Sequence, residues 1–225
     1  MNYAATYANA KLWFFASDMI LHVDSDAAYL VQDDVCSTIA GYYILSSYPQ
    51  AAPAIPQPAP KTPILVECKT LHSVVANFSE AETGGLFHNG QTIVHICRLL
   101  KALGHDQPPT PLKTDNGTAN AFVHRALWQK KSESRDMKYN WLRDKERKKE
   151  LRIFWEIGKK NGADYFTKHH PVPYHELMRS KYVPALHNIC SFKKNIPLNM
   201  PHVRGCVTTY LRYSNIPAPH PWTDR

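Results

Sequence analysis

The chain has 225 residues, 44% of them apolar and 20% charged, and a formal net charge of +8 from 27 Lys and Arg against 19 Asp and Glu. This apolar content excludes a mainly disordered chain, because it can offset the entropy of ordering a core. No run of about 18 apolar residues is present, so no membrane span is expected. The basic excess is typical of proteins that bind a polyanion such as nucleic acid, although a soluble protein can also be basic without such a partner.

The cysteines and the start of the chain indicate the compartment. The five cysteines are Cys36, Cys68, Cys97, Cys190 and Cys206. Their odd number and wide spacing predict free thiols in a reducing compartment, and no CxxC or Cys/His spacing favours zinc. The first apolar run, 12–16, is too short for a signal-peptide core. We therefore expect a cytoplasmic or nuclear protein that is not secreted.

The first half of the chain predicts three strands. Residues 19–26 alternate between apolar and polar side chains, while 38–46 and 64–70 are rich in β-branched and aromatic residues. Several prolines predict a loop or extended linker at 48–63. Residues 1–18 have weak helical character and predict a connector without a core of its own.

The second half alternates helices and strands. A long helix is expected to open at Ser79, with Ser79 and Glu82 at capping-box spacing, and to end before Gly104. The remaining predicted elements are a strand at 111–115, helices at 120–130 and 137–150, a strand at 151–157 and a helix at 162–168. This order predicts an α/β domain with a mixed sheet over 19–172, followed by an irregular C-terminal tail at 173–225.

Four acidic residues lie where predicted strands end or helices begin: Asp26, Glu82, Asp115 and Asp164. Carboxylates that converge there would raise one another's pKa unless cations neutralise them, and Mg²⁺ prefers such oxygen ligands. The alternative is that each acid is a turn residue or a helix cap. Spacing alone does not separate them from other acids in similar positions, namely Asp24, Asp33, Asp34, Glu67 and Glu80.

Five sequence blocks follow one another in a fixed order. They are SDAAYL at 25–30 with STIAGYY at 37–43, SEAE at 79–82, KTDNGTA at 113–119, DMKYNWLRD at 136–144 and GADYFTKHHP at 162–171. Together they resemble the SDASYL, S-x-EAE, TDN-x-(S/T)A, DMR-Y-WIRD and LADYFTKHHP blocks of the ribonuclease H domain of copia-type (LTR) retrotransposon polyproteins. Any one block is weak, but five in order are a specific pattern.

This resemblance implies a ribonuclease H-like fold, with a mixed five-stranded sheet flanked by helices, and endonucleolytic hydrolysis of the RNA strand of RNA–DNA hybrids. Matching the blocks position by position gives Asp26, Glu82, Asp115 and Asp164 as catalytic, metal-binding carboxylates. Asp26 is favoured over Asp24 because the Asp-Ala-x-Tyr-Leu string begins at Asp26. Glu82 is favoured over Glu80 because the second Glu of the block matches the catalytic helix position. The implied cofactor is a pair of Mg²⁺ ions, for which Mn²⁺ can substitute.

The resemblance also suggests partners. Residues 1–18 are similar to the segment that joins reverse transcriptase to this domain, so the reverse transcriptase domain of the same polyprotein is a candidate partner beside the RNA–DNA hybrid. Many ribonucleases H have a histidine in the loop before the last carboxylate, whereas here 158–162 reads GKKNG. Such departures leave open an alternative, a catalytically decayed remnant that binds hybrids or other nucleic acid without cutting.

A basic segment is the candidate hybrid-binding surface. Between 130 and 160 there are 12 Lys and Arg against 6 Asp and Glu. Phosphate contacts are expected here, with a solvated helix face as the alternative. The candidate nucleic-acid-binding residues are Asn116, Lys138, Arg143, Lys145, Lys148 and Lys149. Asn116 could reach a 2′-hydroxyl, or it could instead form an Asx turn that caps the next helix.

Overall fold

A computed structural model describes residues 10–12, 14, 17–31, 36–47, 62–73, 75–124 and 133–183. Most of the predicted connector, most of the proline-rich loop and the tail beyond 183 lie outside the described residues. No helix in the described part of the chain is long and apolar enough to cross a membrane.

The described residues form one mixed sheet with helices around it. The strands are β1 (Ile20–Ala28), β2 (Ser37–Ser46), β3 (Pro63–Leu71), β4 (Thr110–Thr114) and β5 (Leu151–Trp155). The helices are α1 (Phe78–Ala102), α2 (Gly117–Val123), α3 (Glu133–Arg147), α4 (Asp164–Thr167) and α5 (Val172–Tyr182), with a 3₁₀ turn at Gly158–Lys160. The strand order is β3-β2-β1-β4-β5. β2 runs antiparallel to β1 and β3, whereas β1, β4 and β5 are parallel to one another.

Apolar side chains are buried on both faces of this sheet. On one face, Leu86 of α1 and Leu142 of α3 belong to the cluster that includes Val23. On the other face, Ala163 and its neighbours in α4 pack against Tyr42. Because side chains alternate along a strand, consecutive β2 residues can serve the two clusters. The predicted α/β class with a mixed five-stranded sheet flanked by helices is confirmed.

The start of α1 differs from the predicted capping box. Asn77 is the N-cap, and its side chain accepts a hydrogen bond from the Glu80 N–H at 3.0 Å. The Glu80 carboxylate in turn accepts a hydrogen bond from the Ala76 N–H at 2.6 Å, one residue before the N-cap, so both Asn77 and Glu80 hold the start of the helix. The predicted pairing of Ser79 with Glu82 is therefore wrong. Glu82 lies one turn further along and is fully buried.

The predicted irregular tail begins with a helix. Pro173 lies at the start of α5, where a missing N–H costs nothing. Tyr182, near the end of α5, packs edge-on against Tyr42 and donates a hydrogen bond to the Gly162 carbonyl at 2.9 Å. Aromatic packing onto the sheet therefore orders residues whose apolar side chains do not recur at a clear helical spacing. The rest of the tail lies outside the described residues.

Two helices end in the same motif with different residues at the left-handed position. At the end of α1, Gly104 has φ +90°, and at the end of α3, Lys149 has φ +58°. In both, the N–H of the next residue bonds to the carbonyl five residues earlier, from His105 to Leu100 and from Glu150 to Lys145. A β-carbon makes this conformation costly, so Lys149 is locally strained.

We therefore expect Lys149→Gly to stabilise the fold by about 1 kcal/mol, because glycine adopts positive φ without the steric cost. Urea unfolding of this variant and of Lys148→Gly, the neighbour one position earlier, checks it. Equal or lower stability of Lys149→Gly relative to the wild type would contradict the expectation.

Candidate metal centre

The parallel pairing of β1 and β4 brings two acidic positions to one end of the sheet. Asp24 lies opposite Lys113 in the register of these strands. Two residues further on, Asp26 and Asp115 reach the same edge, because parallel strands advance together. Helix α1 approaches β1 closely at Gly85, where an added β-carbon would lie 3.3 Å from Ser25 Oγ. This approach places the first turns of α1 beside the carboxyl end of β1.

Three carboxylates converge at this edge, and we call Asp26, Glu82 and Asp115 the carboxylate triad. One oxygen from each lies within 4.8 Å of the others. Glu82 is 0% exposed and Asp26 is 3% exposed, while Asp115 is partly open. The structure thus brings together three of the four predicted site residues from β1, α1 and the end of β4.

Hydrogen bonds orient the triad but leave oxygens available. The Ala27 N–H donates to Glu82 Oε1 at 3.2 Å, and the Thr167 hydroxyl donates to Asp26 Oδ2. Glu82 Oε2 and Asp115 Oδ1 are buried and have no hydrogen-bond partner among the described residues. Buried, unpartnered carboxylate oxygens are costly, and a hard divalent cation would satisfy them. The residues present therefore fit a metal such as Mg²⁺.

Burial and mutual repulsion perturb the triad electrostatically. Burial, then the neighbouring Asp26 and Asp115 charges, raise the pKa of Glu82 well above its usual value. Burial also raises the pKa of Asp26 to about 6, although the Thr167 hydrogen bond opposes this. The pKa of Asp115 is raised by burial and by Asp164. Without a cation, the folded protein favours protonated carboxyl groups at this edge.

These raised pKa values predict how the stability of the metal-free protein depends on pH. Asp26 has an unfolded pKa of 3.8 and a folded pKa of about 6. Its contribution to stability is complete below the unfolded value and is lost as the pH rises through the folded value. We expect the metal-free wild type, in the presence of EDTA, to be less stable at pH ~7 than at pH ~5. The Asp26→Asn variant should show a smaller difference in stability between these two pH values. Urea unfolding at both pH values checks it; matching pH dependence in the two proteins would contradict it.

Asp164 lies near the triad but is not a member of it. It opens α4 as predicted, and its carboxylate forms an ion pair with Lys168 one turn later. The Asp164 charge contributes to raising the pKa of both Asp26 and Asp115, so it acts on the triad at short range. The participation of Asp164 in a metal site stays a prediction. To bind a metal there, Asp164 would have to release the Lys168 ammonium.

The structure separates the triad from two competing acids. Asp24 Oδ1 lies 2.9 Å from the Lys113 ammonium, and Asp24 Oδ2 accepts a hydrogen bond from the Gly162 N–H at 2.8 Å. Glu80 is used in the α1 cap. Both acids have structural partners, whereas Asp26 and Glu82 face Asp115. Asp26 rather than Asp24, and Glu82 rather than Glu80, therefore lie in the triad.

Asn116 is used differently from the predicted nucleic-acid contact. Its Oδ1 accepts a hydrogen bond from the Ala119 N–H at 2.9 Å, and its own N–H donates to Thr114 Oγ1 at 3.1 Å. Asn116 is buried, so its side chain caps α2, as the alternative proposed. The predicted 2′-hydroxyl contact has no support in this geometry.

The predicted basic residues divide into two groups. Lys138 and Arg143 are partly buried and make internal contacts, with Ser73 Oγ and the Val123 carbonyl respectively. Lys148 and Lys149 are exposed at the end of α3. Lys145 lies between these groups, in an ion pair with a neighbouring acid and beside the Trp141 ring.

Two residues that support the triad were not predicted from the sequence. Thr167 holds Asp26 through its hydroxyl group. Gly158 lies against Asp115, where an added β-carbon would be 2.7 Å from Asp115 Oδ2. A glycine in the loop before α4 was a possible signal, but the sequence does not say which side chain approaches it.

Comparison with known proteins gives only structural likenesses. No family model and no curated protein matches the chain. An N-terminal RNase H domain from Mycobacterium tuberculosis, solved as a fusion with maltose-binding protein, is 10% identical, with a TM-score of 0.43 over 66% of this chain and 91% of that one. RNase H1 from Halobacterium salinarum is 14% identical, with a TM-score of 0.43 over 65% and 93%. LC11-RNase H1, solved in complex with an RNA/DNA hybrid, is 10% identical, with a TM-score of 0.42 over 65% and 91%.

The ribonuclease H-like α/β fold rests on the mixed five-stranded sheet, its strand order and the helices that flank it.

Proposed function

We propose that the chain is a metal-dependent ribonuclease H that hydrolyses the RNA strand of RNA–DNA hybrids. The carboxylate triad carries this proposal, because one oxygen from each residue lies within 4.8 Å of the others. Glu82 Oε2 and Asp115 Oδ1 are also buried and have no hydrogen-bond partner among the residues that the structure describes. A site of this kind suits hard divalent cations. The five ordered sequence blocks supply the substrate class, and the ribonuclease H-like fold is consistent with it.

The chain's own residues have distinct roles in this mechanism. Asp26, Glu82 and Asp115 would hold Mg²⁺ or Mn²⁺, and Asp164 would complete the set for two ions. Bound divalent ions would lower the pKa of the attacking water and stabilise charge on the departing 3′ oxygen. The Thr167 hydroxyl keeps Asp26 oriented throughout.

The origin and setting of the domain follow from the same sequence blocks. We propose a copia-type retrotransposon polyprotein, in which the reverse transcriptase domain would be the neighbouring partner. A reducing compartment, cytoplasmic or nuclear, fits the absence of a disulfide at Cys36, Cys68 and Cys97 within the described part of the chain.

The test of the proposed function is a panel of labelled duplexes. The purified chain is incubated with an RNA–DNA hybrid, the matching DNA duplex and the matching RNA duplex, with Mg²⁺ or with EDTA. We expect Mg²⁺-dependent internal cuts in the RNA strand of the hybrid, with both other duplexes intact. Salt-dependent hybrid binding without cleavage would instead favour the decayed remnant. Cleavage that is equal with EDTA would overturn the metal-dependent mechanism.

The exposed end of α3 provides a candidate phosphate contact. Near the triad end of α1, the Thr83 hydroxyl of α1 donates to the Tyr139 hydroxyl of α3. Further along the same two helices, Arg98 of α1 and Lys145 of α3 line a groove. The rise of 1.5 Å per residue puts this groove roughly 20 Å from the triad end. The phosphate backbone of a duplex bound at the triad could therefore reach this groove about six base pairs away.

We expect the double variant Lys148→Gln/Lys149→Gln to weaken hybrid binding and to lower the slope of log affinity against log salt by up to about 2, one for each lost phosphate contact. The matched control is Lys69→Gln, which also neutralises an exposed, ion-paired lysine but on β3. Fluorescence anisotropy over a salt series measures both. An unchanged slope in the double variant would remove these lysines from the interface.

A further inference from the structure

The loop between β5 and α4 carries Asp164 towards the triad, and its backbone is held by buried polar contacts. The loop comprises Glu156–Ala163 and includes the 3₁₀ turn. Gly162 fits tightly within it, since an added β-carbon would lie 2.9 Å from both Asp24 Oδ2 and the Tyr42 ring. The position of Asp164 therefore depends on what the loop contacts.

The first anchor of this loop is a buried ion pair between β1 and β4. Lys113 Nζ lies 2.9 Å from Asp24 Oδ1 and donates to the Lys160 carbonyl at 2.8 Å. Asp24 Oδ2 accepts from the Gly162 N–H at 2.8 Å. The pair thus holds the loop backbone on both sides of residue 161. Both side chains are about nine-tenths buried, with exposures of 8% and 11%.

The second anchor is the loop residue between these two contacts. Asn161 is 2% exposed. Its Nδ2 donates to the Ser25 carbonyl at 2.9 Å, and its Oδ1 accepts from the Ala163 N–H at 3.0 Å. Asp24 and Ser25 directly precede Asp26. The segment that carries one site carboxylate is therefore fastened to the strand that carries another.

We propose that the buried Asp24–Lys113 pair, with Asn161, positions the Asp164 carboxylate against the triad. This inference rests on the proposed function, because it assigns Asp164 a metal that the triad shares. The charge of Asp24 has no metal to bind here, since both its oxygens are engaged by Lys113 and Gly162. Its role is exerted through the loop, which makes it a positioning residue.

The experiment is a double-mutant cycle on Mn²⁺ affinity, measured by calorimetric titration of the full chain without nucleic acid. The proteins are wild type, Asp24→Asn, Asp164→Asn and the double variant. We expect Asp24→Asn to weaken Mn²⁺ binding by about 10-fold, the usual effect of losing a group that orients a ligand. The double variant should bind no more weakly than Asp164→Asn, because the two changes act on the same carboxylate.

Further variants separate positioning from general destabilisation. Glu67→Gln breaks another ion pair, with Lys69, on β3 and should leave Mn²⁺ affinity unchanged. If Asp24→Asn does not fold, Asn161→Ala replaces it in the cycle with the same expectation. Additive losses, or wild-type affinity in a folded Asp24→Asn protein, would overturn the inference. Failure of the wild type to bind Mn²⁺ would overturn the proposed metal site as well, which distinguishes the two failures.

Discussion

Asp115→Asn is expected to reduce cleavage of the RNA–DNA hybrid by more than about 100-fold, because losing a residue that only orients a metal ligand already costs about 10–100-fold. The substitution keeps the size of the side chain but removes a charged ligand from the carboxylate triad. It also reduces repulsion, since the Asp115 charge helps raise the pKa of Glu82. The metal-free variant should therefore be at least as stable as the wild type. Initial cleavage rates in Mg²⁺, with thermal unfolding in EDTA, measure both effects.

The matched control for this variant is Asp106→Asn. Asp106 is exposed in the loop that precedes β4, at the opposite end of the strand from Asp115. The same chemical change there should leave cleavage within about 2-fold of wild type, because surface substitutions away from special features have small effects. Equal cleavage by the Asp115→Asn variant and the wild type would refute the role of the triad in catalysis.

The second large effect is expected from Lys113→Met, which should lower the free energy of unfolding by about 3–5 kcal/mol, the usual cost of leaving a buried charge without its partner. Asp24 would keep the Gly162 hydrogen bond but lose its cation. Burial already raises the pKa of Asp24 despite Lys113. The variant should therefore lose less stability at low pH, where Asp24 can bind a proton. Urea unfolding at pH ~5 and pH ~7 measures this.

Lys69→Met is the control for that experiment. Lys69 also forms an ion pair, with Glu67, but its side chain is 58% exposed. Exposed pairs contribute about 0–1 kcal/mol, so this variant should remain near the wild type. Similar losses in the two variants would mean that the position of Lys113 between β1 and β4 has no special importance.

Local patterns in the sequence were sufficient for most of the sheet. Alternation over 19–26 located β1, and the β-branched run at 38–46 located β2, within two residues of their ends. Both signals come from side chains that alternate between two packed faces. The tail was different, because α5 is held by contacts of Tyr182 with distant residues rather than by a repeating apolar face.

The sequence proposed acids that lie together in the structure, but it could not give the geometry around them. Resemblance selected Asp26 and Glu82, and the structure places both beside Asp115. The cap role of Asn116 was one of two alternatives from the sequence, and α2 begins directly after it at Gly117, three residues before the predicted start. Thr167 and Gly158 act through packing against residues far away in the chain, which spacing along a sequence does not reveal.

The central claim is that Asp26, Glu82 and Asp115 hold a divalent metal together. The most direct measurement is anomalous X-ray scattering from crystals of the full chain grown with Mn²⁺. We expect an anomalous peak bonded to carboxylate oxygens of all three residues, and no such peak in crystals of Asp115→Asn. Well-ordered triad side chains with no peak between them, or a peak bound only elsewhere, would contradict it.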